Sequence, residues 1–162
     1  MSKKPEILKI LAQNARYTNA ELAAMTGKTE EEVAKEIKRL EKEKLIRGYK
    51  AVVDWDKFDD AYVSAIVELK VVPKPDLGFE DIAARISAYN NVETVYLMSG
   101  TFDLSVVVKG RTLQEVANFV AKELAAMESV TSTATHFVMR RYKELDVILS
   151  DDEDDDRCES FI

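Results

Sequence analysis

The sequence predicts an α+β chain with two parts, an N-terminal winged helix-turn-helix and a C-terminal ferredoxin-like βαββαβ sandwich. Two early segments combine helix-capping residues with helical apolar spacing and are separated by a short turn that contains Gly27. Four later segments have the apolar, β-branched composition of strands, and amphipathic helical segments follow the first and the third. The 162 residues are enough for two small domains.

Three helices are predicted in the first part. The first begins near Pro5, because proline suits the first turn of a helix and apolar residues follow at helical spacing. The second begins after Thr18, which has a glutamate three residues later as in a capping box, and it ends at Gly27. The third begins after Thr29, which has the same capping spacing, and it ends around Lys44.

Residues 45–53 are predicted to form two short strands around Gly48, which would be the wing. Residues 54–60 are polar with two aromatic side chains and indicate a linker. The predicted organisation is a winged helix-turn-helix DNA-binding domain at 1–53, the linker at 54–60, an α/β domain at 61–145, and an acidic tail at 146–162.

The second part is predicted to fold as β-α-β-β-α-β. The predicted elements are a strand at 61–72, a helix from Phe79 to Ile86, strands at 92–97 and 104–109, a helix at 112–127 and a strand at 130–141. Both helices of such a sandwich cover one face of the sheet. Because an uncovered sheet face usually pairs with another surface, we expect at least a homodimer.

Charge is segregated along the chain, whose net charge is -7. Residues 1–50 carry twelve Lys and Arg against eight Asp and Glu, a net +4. Residues 151–162 carry seven acids against one Arg, a net -6, and the residues between have a net -5. The basic part therefore coincides with the predicted helix-turn-helix, a pattern typical of nucleic-acid binding.

Several classes of function are not favoured. The only cysteine, Cys158, cannot form an internal disulfide, which fits a reducing cytoplasm. No apolar run approaches the ~20 residues that span a bilayer, and no signal peptide is recognisable, so we expect a cytoplasmic protein without membrane association. His136 is the only histidine, and zinc spacing, phosphate loops, nucleophile elbows and dinucleotide fingerprints are absent. We therefore expect no enzyme, no metal and no cofactor.

Three segments together resemble the Lrp/AsnC (leucine-responsive, feast/famine) family of transcriptional regulators. They are Ile7 to Ala23, Val33 to Tyr49 with Ile37-Lys38-Arg39-Leu40-Glu41 at its centre, and the turn Gly100-Thr101-Phe102-Asp103-Leu104. They look like that family's first two helices, its recognition helix with the entry to the wing, and its glycine-x-x-aspartate turn. The resemblance covers roughly residues 5 to 145. It implies dimers that often assemble to octamers, and control by amino acids, so that residues 61–145 would be a ligand-sensing and oligomerisation domain.

The candidate contacts to double-stranded DNA lie on the third helix and beside it. The amino end and outer face of a recognition helix reach base edges and phosphates. The candidates are Lys28, Thr29, Lys35, Lys38, Arg39 and Arg47. The alternative interpretation is that they are simply the solvated basic side of an amphipathic helix. The cap and the helix dipole favour acids at the start of this helix, Glu30 to Glu32, and a glutamate there can also accept from a cytosine amino group.

The candidate effector site is the turn with Gly100, Thr101 and Asp103. Backbone N–H groups of a glycine turn can bind a carboxylate, and Asp103 can pair with an amine, which together suit an amino acid. Thr133 and Thr135 are candidate polar contacts from a neighbouring subunit. The alternative interpretation is an ordinary hairpin turn, where Gly and Asp are common.

Two functions remain open at this point. The first is a sequence-specific DNA-binding transcriptional regulator whose assembly or DNA affinity responds to a small effector. The second is a small-molecule-binding regulatory subunit that acts on a protein partner and binds DNA weakly or not at all. The three glutamates that open the third helix and the net negative charge favour the second.

Overall fold

A computed structural model describes residues 6–58, 62–74 and 78–149. The chain divides into two compact units, with the division between Ala51 and Val52. The predicted start of the first helix at Pro5, Cys158 and the acidic tail beyond residue 149 lie outside the described residues. No helix of the described part is long and apolar enough to cross a membrane.

The N-terminal unit contains the three predicted helices, α1 (Glu6–Gln13), α2 (Asn19–Thr26) and α3 (Glu30–Lys42). Both predicted capping boxes are formed, by Thr18 with Glu21 and by Thr29 with Glu32. The hydrogen bonds from Thr18 and Thr29 to these carboxylates hold the pKa of both glutamates below its ordinary value. Gly27 ends α2 with a φ of 68°, a left-handed conformation that favours glycine, and so turns the chain into α3.

The three helices meet around a small apolar core. Its buried members are Ile7 and Leu11 of α1, Leu22 and Ala23 of α2, and Val33 of α3. Because these residues recur at helical spacing, each helix presents one apolar side to the others and its charged side to water. Three residues, 27 to 29, separate α2 from α3, which is the length of a helix-turn-helix turn.

The two short strands predicted around Gly48 are not formed. Residues 45–54 contain no strand and no helix. A tight two-residue hairpin needs positive φ in its turn, and Gly27 is the only described glycine with a positive φ. No residue of this segment has a positive φ, so no tight hairpin turn forms at Gly48 and residues 45–53 make no two-stranded ladder.

The C-terminal unit has the predicted βαββαβ order. Its elements are β1 (Val63–Val71), α4 (Phe79–Ser87), β2 (Val92–Leu97), β3 (Leu104–Gly110), α5 (Leu113–Phe119) and β4 (Val130–Phe137). The sheet order is β2-β3-β1-β4, with every neighbouring pair antiparallel. This is the topology of the predicted ferredoxin-like sandwich.

One face of the sheet carries the core. Alternate residues of β1, including Val67 and Leu69, are fully buried, as are Ile82 of α4 and Leu124 beyond α5. The side chains between them point to the other face. The open face is defined here by Ile66, Glu68, Tyr96, Val107 and His136, which the strand register places on one side. Ile66 and Tyr96 are 41% and 58% exposed there.

Two helical segments differ from the sequence prediction. The helix predicted at 112–127 consists of α5 and a π-helical turn, Val120–Leu124. The Ala125 N–H donates to the Val120 carbonyl, five residues back, at 2.8 Å. A short 3-10 helix, Trp55–Lys57, lies in the predicted linker, and the ring of Trp55 lies 5.6 Å from that of Tyr62.

The end of the described chain also differs. The last strand was predicted to reach Arg141, but β4 ends at Phe137. A hairpin follows, made of β5 (Lys143–Glu144) and β6 (Val147–Ile148), and it crosses the predicted start of the tail at residue 146. Leu145 and Asp146 form its turn with φ values of 45° and 67°.

Candidate nucleic-acid interface and effector site

The outer side of α3 is basic. Val33 and Leu40 are fully buried, whereas Lys35, Lys38 and Lys42 are exposed. Because a helix advances about 100° per residue, the three lysines project within a sector about 60° wide, opposite the two buried residues. None of the three makes a hydrogen bond or an ion pair within the described residues. We call these three lysines the basic stripe.

Two other candidate cations are engaged within the unit. The ammonium group of Lys28 contacts the carboxylate of Glu36. Arg39 donates from Nη1 to both carboxylate oxygens of Glu43, at 3.1 and 3.0 Å. Exposed ion pairs are weak, so a phosphate can displace either glutamate. The gain in binding free energy is smaller than for an unengaged lysine, because the existing ion pair is lost in the exchange.

The remaining candidates are Thr29, which is engaged in a helix cap, and Arg47, which is not engaged by any described residue. The Thr29 hydroxyl belongs to the cap of α3, where it accepts from the Glu32 N–H at 3.3 Å. Arg47 lies on the exposed segment after α3 and has no hydrogen bond or ion pair in the described part of the chain. The structure thus brings Lys28, Lys35, Lys38 and Arg39 together on α3 and the turn before it, with Arg47 beyond its end.

The second candidate site is the turn between β2 and β3, which is tied to β1. The Asp103 N–H donates to the Leu69 carbonyl at 3.0 Å, and Asp103 Oδ2 accepts from the Val71 N–H at 2.8 Å. The register of β1 against β4 shifts between Lys70 and Val71, so the Asp103 carboxylate satisfies an N–H at an irregular point of the strand. Asp103 is therefore already a structural residue within the protomer.

Lys70 is a member of this site that sequence reasoning missed. Its Nζ lies 3.5 Å from Asp103 Oδ1 and donates to the Thr101 carbonyl at 3.0 Å. Both groups are partly open to solvent, with 46% of the Lys70 side chain and 22% of the Asp103 side chain exposed. The site thus contains a positive and a negative group side by side, and Gly100 lies exposed beside them.

Thr133 and Thr135 are not part of this cluster. In the register of β4 they lie opposite Leu69 and Val67, whose side chains are buried on the helical face. Residues paired across a ladder point to the same face, so both threonines lie on the helical side of β4. Asp103 lies on the other side of β1, two strand spacings or about 10 Å away. Both threonines are half-buried, and β4 is an edge strand of the sheet.

Two families match the chain. Residues 3–47 match a winged helix-turn-helix DNA-binding family, and residues 64–148 match the Lrp/AsnC ligand binding domain. An uncharacterised HTH-type transcriptional regulator of Bacillus subtilis, YugG, is 44% identical over 156 residues, covering 96% of this chain and 94% of the relative. The leucine-responsive regulatory protein of Haemophilus influenzae is 30% identical over 145 residues, covering 89% and 86%.

A solved structure agrees with these matches. The structure of a transcriptional regulator of Neisseria meningitidis in complex with L-methionine superposes with a TM-score of 0.68 at 22% identity, covering 85% of this chain and 88% of that one. The relatives are transcriptional regulators, in agreement with the expectation that the chain is not an enzyme. The helix-turn-helix, the sandwich and these matches together show that the chain is a transcriptional regulator that belongs to the Lrp/AsnC family.

Proposed function

We propose that the protein is a cytoplasmic, sequence-specific DNA-binding regulator whose assembly or DNA affinity responds to an amino acid. The basic stripe carries the first half of this proposal. Three unengaged lysines lie on the exposed side of the second helix of a helix-turn-helix, where phosphate and base contacts are made in such proteins. The matched DNA-binding family at residues 3–47 supports the same function.

We propose that the open face joins two copies of the chain. It places two exposed apolar side chains, Ile66 and Tyr96, on an otherwise helix-backed sheet. Ile66 lies directly between Val107 and His136 in the ladder, so it is central on the face. An isologous pairing of this face would bury these residues and align two helix-turn-helix units with two half-sites. Further assembly to an octamer would use other surfaces, such as the edge strand β4.

We propose that the effector binds at the Lys70–Asp103 pair. An amino acid carries an ammonium and a carboxylate, which match Asp103 and Lys70 in charge. The ligand would exchange a 3.5 Å ion pair for two pairs of its own, while Thr133 and Thr135 of a neighbouring subunit supply polar contacts. The methionine bound to the Neisseria regulator supports this ligand class. The ligand shifts assembly only if it binds one arrangement of subunits more tightly than another.

Asp103→Asn provides the test of this site. The amide retains an acceptor for the Val71 N–H but lacks the charge that the ammonium needs. We therefore expect near-normal thermal stability and at least about tenfold weaker amino-acid binding in calorimetry. Asp103→Ala should also lose about 1.5–3 kcal/mol of unfolding free energy, because the Val71 N–H loses its partner. The alanine variant alone is thus not a clean test of sensing.

Glu93→Gln is the matched control. Glu93 pairs with Lys109 at 3.1 Å, and the two side chains are 25% and 42% exposed, close to the values at Asp103 and Lys70. This variant should bind amino acids as the wild type does. If Asp103→Asn binds them equally well, the effector site lies elsewhere.

A second candidate function is favoured by the ion pairs of α3. Glu36 and Glu43 engage two of the candidate cations, and this weakens the attraction of the helix for phosphates. A regulatory subunit that acts on a protein partner would tolerate such pairing. It would bind amino acids at the same site and show no preference among DNA sequences. A titration with upstream DNA and with a random duplex therefore distinguishes the two functions.

A further inference from the structure

Three consecutive glutamates open α3, and the structure separates their roles. Glu32 belongs to the cap, since its Oε2 accepts from the Thr29 N–H at 2.8 Å and from the Thr29 hydroxyl at 3.1 Å. Glu30 and Glu31 are exposed and make no hydrogen bond or ion pair within the described residues. The capping box therefore accounts for only one of the three acids.

Glu31 projects in the direction of the basic stripe. Lys35, Lys38 and Lys42 follow it by four, seven and eleven residues, so at about 100° per residue all three lie within about 40° of it. Val33, which is fully buried, lies about 200° around the helix. Glu31 is thus in the middle of the side that faces away from the core, at the amino end of the recognition helix. Glu30 lies about 100° away, on the flank.

A carboxylate in this position has a specific chemical consequence. It is repelled by phosphates, so it opposes binding to DNA of arbitrary sequence. The repulsion is offset where the carboxylate finds a hydrogen-bond donor on a base edge. In the major groove the cytosine N4 amino group suits an acceptor-only side chain, whereas adenine places the acceptor N7 beside its amino group.

We propose that Glu31 is a specificity-determining residue that accepts a hydrogen bond from the N4 amino group of a cytosine in the major groove. The lysines of the basic stripe bind the phosphates on either side and hold the amino end of α3 against that base. This inference rests on the proposed sequence-specific DNA binding and assigns one base of its operator. The helix dipole does not require Glu31 for this purpose, because Glu30 and Glu32 also lie in the first turn.

The test compares the wild type with Glu31→Ala and with Glu30→Ala, which removes a first-turn acid that lies off the stripe. Each full-length protein selects sites from a randomised duplex library. Affinities are then measured for the selected site and for the same site with the proposed C·G pair replaced by T·A. We expect the replacement to weaken wild-type binding by about tenfold or more, and Glu31→Ala by less than about twofold. Glu30→Ala should behave as the wild type does.

The outcomes separate this inference from the function on which it rests. Glu31→Ala should also bind non-specific duplex more tightly than the wild type, since a repulsive charge is gone. If the wild type selects no sequence, the proposed function and the base assignment both fail. If the wild type selects a site that Glu31→Ala selects unchanged at every position, or Glu30→Ala loses the same base preference, only the base assignment is overturned.

Discussion

Ile66→Lys should convert the protein from a dimer to a monomer at micromolar concentration. Ile66 lies at the centre of the open face and is 41% exposed, so a lysine is tolerated in the isolated protomer. In the paired face it would replace two central apolar contacts with two buried ammonium groups, whose desolvation costs several kcal/mol per charge and is only partly offset by Glu68, which already contacts His136. Light scattering gives the mass directly. DNA affinity should fall by about a hundredfold or more, because each helix-turn-helix must then bind alone.

Leu113→Lys is the control for this variant. Leu113 is the first residue of α5, on the helical side of the sheet, and it is 56% exposed. It receives the same charge at a comparable exposure, and its variant should remain dimeric. Circular dichroism of both variants verifies that the protomer is folded. A folded, dimeric Ile66→Lys protein would show that the open face does not join the subunits.

Lys35→Ala/Lys38→Ala should weaken DNA binding and reduce its salt dependence. Each lost phosphate contact lowers the slope of log K against log salt by about 0.9, so the double variant should lose about 1.8 per subunit. The ratio of wild-type affinity to variant affinity should therefore fall by about tenfold per subunit when the salt concentration rises from 50 to 200 mM. Fluorescence anisotropy with a labelled duplex measures both the affinity and the slope.

Lys28→Ala/Arg39→Ala is the matched comparison. It removes the same number of charges from the same surface, but these cations are engaged by Glu36 and Glu43. Each of these cations must give up its ion pair with a glutamate before it binds a phosphate, which reduces its contribution to DNA affinity. This variant should therefore lose less affinity than Lys35→Ala/Lys38→Ala. Equal losses would mean that the ion pairs do not matter in the complex. An unchanged slope in both variants would show that the basic stripe does not contact the phosphates of DNA.

The parts of the fold that were predictable depend on interactions between neighbours in sequence. The capping boxes at Thr18 and Thr29 involve residues three positions apart, and the end of α2 needs only the left-handed Gly27. The sandwich followed from the alternation of helical and strand patterns, and its open face followed from having only two helices. These features need no knowledge of distant contacts.

The features that were missed depend on backbone geometry or on distant partners. Gly48 indicated a turn, but glycine permits positive φ without requiring it, and the wing strands did not form. Leu145 and Asp146 both adopt positive φ at the tip of the last hairpin, although leucine there gives no turn signal. At Gly48 strands were predicted and did not form, whereas at Leu145 and Asp146 a hairpin formed that was not predicted. In both places the φ values of the turn residues decided the outcome.

The contacts at the two candidate sites divide in the same way into predictable and unpredictable ones. Arg39 and Glu43 are four residues apart on a helix, and their ion pair could have been predicted from that spacing. Lys28 reaches Glu36 around the cap of α3, and Asp103 reaches the N–H of Val71, 32 residues away in sequence. Sequence alone identified the charged residues but could not show which of them already hold one another.

A titration of the full-length wild-type protein against duplex DNA is the most direct test of an amino-acid-responsive regulator. The DNA is the region upstream of the protein's own gene, with a random duplex of equal length for comparison, at several salt concentrations and with each of the twenty amino acids. The upstream DNA should bind at least about a thousandfold more tightly than the random duplex, and at least one amino acid should change that affinity. Equal affinity for both duplexes at every salt concentration, with no effect of any amino acid, would contradict the proposed function.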